Sequence, residues 1–204
     1  MHVIFSRAAA LLFAASLAAG CSTIGGRDAV RPVDVTTFHL GQPIARGEIA
    51  IEPLGPPGAN SMPFAIDRDA VARHLARLGW TVVVTPGRSE QVALIEVRQG
   101  SREAFARRSP VTIGIGGSTG GWRSGLGVGA TFGIGGGGSR DFVATILEVR
   151  IKRHSDDTVF WEGRAASEAR ADSIAARRPE AVERLAEALF RDFPGESGRT
   201  IRRP

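Results

Sequence analysis

The chain has 204 residues and a formal net charge of +5, and every basic side chain except Lys152 is arginine. That length suits one domain with a real core, and the single cysteine, Cys21, excludes an internal disulfide. The basic balance reads as composition, arginine replacing lysine in a chain rich in alanine and glycine, so no nucleic-acid partner is expected from it.

Arg7 precedes an apolar stretch from Ala8 to Ala19, and small residues then lead to Cys21, which is the tripartite plan of a secretory signal. The stretch is shorter than the roughly 20 residues a bilayer-crossing helix needs. Residues 1–20 are therefore expected to be a signal peptide, and losing Arg7 takes the charge from +5 to +4. The junction Leu17-Ala18-Ala19-Gly20-Cys21 resembles the lipobox of bacterial lipoproteins, with the leucine one place earlier than in the commonest pattern. The resemblance implies lipid, such as palmitate, on Cys21, which then becomes the N-terminus. Because one acyl chain contributes only about 0.8 kcal/mol per buried CH₂, durable anchoring takes at least two chains. Ser22 follows the cysteine, and a residue other than aspartate there implies sorting to the outer membrane, with the domain on its periplasmic face.

Residues 21–34 carry Gly25, Gly26 and Pro32 without apolar periodicity and read as a tether. Val35 to Leu40 predicts a first strand and Gly47 to Leu54 a second, the latter alternating Ile49 and Ile51 with polar or small residues. Ile66, Ala70, Val71, Leu75 and Leu78 share one side of a helix, with Asp67 and Asp69 toward its N-terminal end and Gly79 as its stop. Strands are expected at Trp80–Thr85 and Gln91–Val97, around Pro86-Gly87.

From Gly114 to Gly138, 13 of 25 residues are glycine. Leu126, Val128, Ala130, Phe132 and Ile134 alternate there with Gly127, Gly129, Thr131, Gly133 and Gly135, which predicts a glycine-rich β-hairpin within 111–138. Glycines in a strand allow close approach of another backbone, which makes Gly127, Gly129, Gly133 and Gly135 a candidate partner surface. Asp141–Arg153 and Thr158–Ala165 flank the turn His154-Ser155-Asp156-Asp157. Leu147, Val149 and Ile151 share one face, with Val159 and Trp161 candidates for the same core. Val182, Leu185, Ala186, Leu189, Phe190 and Phe193 make the apolar stripe of a last helix that begins near Pro179 and ends at Pro194-Gly195. Residues 195–204 are expected to be a disordered tail.

His39, His74 and His154 lack the local spacing of a metal site, and no Gly-x-Ser-x-Gly elbow occurs. Asp156 and Asp157 sit in a turn that favours aspartate. Gly133-x-Gly135-x-x-Gly138 matches a dinucleotide fingerprint in form, but the helix that must follow is replaced by a strand. Neither a cofactor nor a metal is expected.

Four stretches together resemble the proteobacterial lipoprotein family catalogued as domain of unknown function 4136. They are Val35-Thr36-Thr37-Phe38, Ala72 to Trp80, the hairpin Ile146 to Gly163 with Val159-Phe160-Trp161-Glu162-Gly163, and Ala181 to Pro194. The resemblance implies a small envelope domain and brings no catalytic residues. The expected architecture is α+β: one domain over residues 35–194, a mainly antiparallel sheet with two helices on one face, and the glycine-rich hairpin. The expected role is a non-enzymatic binding or structural module, held to the bilayer through Cys21 and meeting an envelope protein or cell-wall component. An accessory lipoprotein of an envelope transport system and a hydrolase with an unrecognised site are the alternatives.

Overall fold

A computed structural model describes residues 30–55, 62–83, 89–101 and 142–204. In chain order they form β1 (Val33–His39), β2 (Glu48–Pro53), α1 (Met62–Arg77), β3 (Thr81–Val83), β4 (Gln91–Ser101), β5 (Phe142–Arg153) and β6 (Val159–Arg170). A 3₁₀ turn (Ile174–Ala176), α2 (Arg178–Phe190) and β7 (Thr200–Arg203) complete them. The strands make one sheet in the order β3-β2-β4-β5-β6-β1-β7. Four of its six neighbouring pairs are antiparallel, in keeping with the expected α+β class, whereas β2 runs parallel to both β3 and β4. Parallel neighbours need a crossover connection, and α1 supplies the one between β2 and β3.

Both helices pack on each other and on the same face of the sheet. α2 buries Val182, Leu185, Ala186, Leu189 and Phe190, as its 3.6-residue period predicts. These meet Leu147, Val149 and Ile151 of β5 and Trp161 and Ala165 of β6 in one core. Trp161 stacks on Phe190 at 5.7 Å, and its Nε1–H donates to the Pro194 carbonyl at 2.9 Å, so the indole is both packed and satisfied. α1 buries Ala70, Val71, His74 and Leu75. It closes on Gly79 at φ +98°, where the Gly79 and Trp80 N–H groups donate to the Ala76 and Leu75 carbonyls, a Schellman closure that needs this left-handed residue.

Several boundaries differ from the sequence expectations. Val33 already belongs to β1, and Val30 bridges to Ala169, so the expected tether gives way to sheet before residue 34. α1 begins at Met62, which places Asp67 inside the helix and leaves Ile66 40% exposed. β6 continues to Arg170, because small residues such as Ala165, Ala166 and Ala169 suit a crowded sheet interior despite their weak strand character. Val159 is only half buried, since a register shift in the β5–β6 pair sets it opposite Lys152. The tail is not disordered as expected: β7 pairs with β1, and Arg202 and Arg203 bind Asp34 and Asp192. Val84 and Thr85, the Pro86-Gly87 turn and the glycine-rich hairpin lie outside the described residues.

Candidate functional site

Cys21 and the glycine surface of Gly127, Gly129, Gly133 and Gly135 likewise lie outside the described residues. The described chain opens at Val30, nine positions after Cys21. What it contains is three polar arrangements that the sheet and helices bring together.

One joins the two helices. His74 is 5% exposed, stacks on Phe190 at 6.0 Å, and places Nε2 3.1 Å from Glu183, which also accepts a hydrogen bond from Arg73 at 2.5 Å. Burial pushes the imidazole below its ordinary value of 6.5, with Glu183 pulling the other way. Burial raises Glu183, but Arg73 and His74 outweigh it and bring its carboxyl below 4.5. Nearby, Arg178 grips Asp67 with two hydrogen bonds of 3.0 and 2.6 Å and donates to the Val97 carbonyl. Such bidentate pairs carry geometric specificity, and this one sets α1 against α2. Arg184 donates to Ser167 at 2.5 Å, while its Nε and Nη1 are buried without a hydrogen-bond partner.

A second arrangement crosses the reverse face of the sheet. Strand alternation brings Glu96 opposite Glu148, Glu148 opposite Arg164, and Arg150 opposite Glu162. Arg150 lies 2.6 Å from Glu148 and 3.6 Å from Glu162, and Arg98 lies 3.7 Å from Glu148. Three arginines and three glutamates cancel in charge, so the ladder presents polarity without net charge. Burial raises the Glu162 carboxyl against the pull of Arg150, and burial together with Arg98 lowers Arg164. Apolar Ala50, Val92, Ile146 and Ala166 are buried around it. The sequence carries no local signal for this ladder, because it depends on the register between β4, β5 and β6.

The third is a cleft of about 190 Å³ at the lower end of the sheet, lined by Leu40, Pro43, Glu90, Gln91, Arg153 and Phe160, among others. Gln91 anchors its inner wall, accepting from the Trp80 indole at 2.8 Å and donating to the Ala45 carbonyl. His39 and His154 lie near this end, but Ser197 meets the His39 backbone and not its ring, and His154 donates its backbone N–H to Glu90. Asp156 accepts the Thr158 N–H at 3.0 Å, the turn role expected of it. Among the described residues no three His, Cys, Asp or Glu side chains converge as metal ligands.

The fold and these arrangements define a small single-sheet α+β protein with both helices on one face and an uncharged ion ladder on the other. The chain belongs to the same family as the uncharacterized protein ZMO1243 of Zymomonas mobilis, with 30% identity over 84% of this chain and 80% of that relative. No family model matches the chain. Among solved structures it is similar to the PelC dodecamer from Paraburkholderia phytofirmans, with 12% identity over 78% of this chain and 94% of that one at a TM-score of 0.42. It is also similar to a PDZ domain protein from Parabacteroides distasonis, with 13% identity over 85% of this chain and a TM-score of 0.48; there it spans 39% of the other chain's length.

Proposed function

We propose that this protein is an exported envelope lipoprotein: a non-enzymatic binding or structural module on the periplasmic face of the outer membrane, held there by lipid on Cys21. The observation that carries the reading is the junction Leu17-Ala18-Ala19-Gly20-Cys21 behind a basic and then apolar leader, at the only cysteine of the chain. The spacing supports it, since Val30, nine positions after Cys21, bridges to Ala169 in the sheet. The resemblance to the lipoproteins with domain of unknown function 4136 belongs to the same reading. The uncharged ladder and the cleft are the surfaces such a module would offer to an envelope protein or cell-wall component. The test is metabolic labelling with a fatty-acid analogue in cells making the full chain or Cys21→Ser. Label and outer-membrane fractionation are expected in the first and absent from the second. Equal incorporation into both would overturn the anchor.

A further inference from the structure

We infer that one end of the domain is a lipid-docking face, on which Val30, Met62, Ile66 and Ile174 rest in the interfacial layer of the membrane that holds Cys21. This rests on the lipoprotein reading for the anchor and adds an orientation to it.

The topology places these four residues together. β4 ends at Ser101, opposite Val143, and Phe142 at the start of β5 lies opposite Arg170 at the end of β6. Val30 bridges to Ala169 at this level, and Arg31 covers the Phe142 ring at 4.8 Å. Ile174 follows in the 3₁₀ turn, whose Ala176 carbonyl accepts from Gln99 of β4 at 2.9 Å. Arg178 ties the start of α2 to Asp67, and so to the first turns of α1 with Met62 and Ile66. The entry of the described chain, the N-terminal ends of both helices and the end of β4 therefore share one end of the sheet.

Exposure singles that end out. Among the described residues the exposed large apolar side chains are Met62 (85%), Ile174 (59%), Leu40 (47%), Ile66 (40%) and Val30 (39%). All but Leu40 lie here; Leu40 lies at the opposite end, its N–H bonded to the Phe160 carbonyl. Large apolar side chains exposed at one end of a domain suit a protein or membrane contact, and the length of chain back to Cys21 selects the membrane. Nine residues reach at most about 32 Å when fully extended. From the level of Val30, β5 descends from Val143 to Arg153, about 33 Å at strand rise. The lower end could touch the bilayer only with the tether stretched to its limit, whereas the upper end meets it with slack. Exposed Arg68 pairs with Asp69 at 2.9 Å and Arg170 with Asp172 at 3.2 Å, and the exposed Arg177 and Glu180 at the start of α2 are of opposite sign, so this end carries little net charge. Contact is therefore apolar and weakly dependent on salt. The arrangement turns the cleft lined by Glu90, Gln91 and Arg153 away from the membrane, toward the periplasm.

The test uses the full chain, purified from cells and reconstituted into vesicles of phosphatidylethanolamine and phosphatidylglycerol containing nitroxide-labelled lipid. A thiol-reactive fluorophore is placed at Ile174→Cys or, in a separate protein, at Leu40→Cys. Acylation consumes the Cys21 thiol, so one dye per chain is expected, with several-fold stronger nitroxide quenching at position 174 than at 40. Adding Met62→Ser and Ile66→Ser should reduce the quenching at 174 while the acylated mass persists. One dye per chain with quenching equal at the two positions, stronger at 40, or unchanged by the serine substitutions would overturn the docking face and leave the anchor standing. Two dyes per chain would show a free Cys21 and overturn the anchor, and the docking face with it.

Discussion

On the helix-covered face of the sheet, Leu147, Val149, Ile151 and Trp161 are sealed under carbon from α2. On the reverse face, the same strands shelter Glu148 and Glu162 beside Arg150 and Arg164. Alternation makes both faces from one backbone, so what differs is how burial is stabilised. Hydrophobic transfer contributes roughly 25 cal/mol per Å² of apolar area, while ion pairs at a partly wet surface contribute little. Stability should therefore reside on the helix side, and the reverse face should tolerate rearrangement.

The largest expected effect tests that division directly. Leu189 is buried against the sheet, and Leu189→Ala should cost about 2 to 5 kcal/mol by lost transfer energy and a residual cavity. Urea denaturation measures it, and a loss below about 0.5 kcal/mol would mean that α2 does not seal the face. Next comes Gly163→Ala. A methyl there would collide with the Trp161 ring and lie 2.8 Å from the Leu189 methyl carbon, so about 1 to 3 kcal/mol should be lost to overpacking. Full stability in this variant would show that the indole has room to move.

That glycine also marks what the sequence made legible. The stripe from Val182 to Phe190 and the alternation of Leu147, Val149 and Ile151 could be read in advance, because local period alone decides which side is apolar. Gly163 could not, since its need for hydrogen depends on where Trp161 and Leu189 meet in space. The exposure of Ile66 and the burial of Asp67 were hidden for a similar reason, because the helix start and the partner Arg178 are set by tertiary contacts. β7 is too short to show a period, and its pairing relies on Asp34 and Asp192 from elsewhere in the chain. For the candidate site, Cys21 is a purely sequential signal. The ladder and the apolar end are assembled from distant positions and emerge only from strand order.

A smaller effect belongs to the one histidine on the helix side that is buried. The folded pKa of His74 lies below 6.5, through burial first and despite Glu183. The unfolded chain therefore binds more protons just below that pH, so stability is full above about 6.5 and falls as pH drops toward the folded value. Glu183, lowered from 4.5, adds a separate loss at more acid pH, as its folded value is crossed. In His74→Phe the decline between these ordinary values should disappear from a series of denaturation midpoints. An unchanged profile would assign the decline to other groups.

The smallest expected effect lies in the ladder. Arg150 and Glu148 approach to 2.6 Å, but Arg150 keeps about a third of its side chain in water, and Glu148 has a second cation in Arg98 at 3.7 Å. Removing one arginine therefore leaves the carboxylate partly compensated, unlike a sealed pair whose survivor is stranded. A double-mutant cycle of Arg150→Gln and Glu148→Gln should give a coupling of about 0.5 to 1 kcal/mol, reduced by added salt. A coupling above about 3 kcal/mol, insensitive to salt, would place the ladder in a dry environment equivalent to the helix side. The two faces would then differ in chemistry but not in what they contribute to holding the sheet, and the reverse face would lose its claim to be the adaptable one.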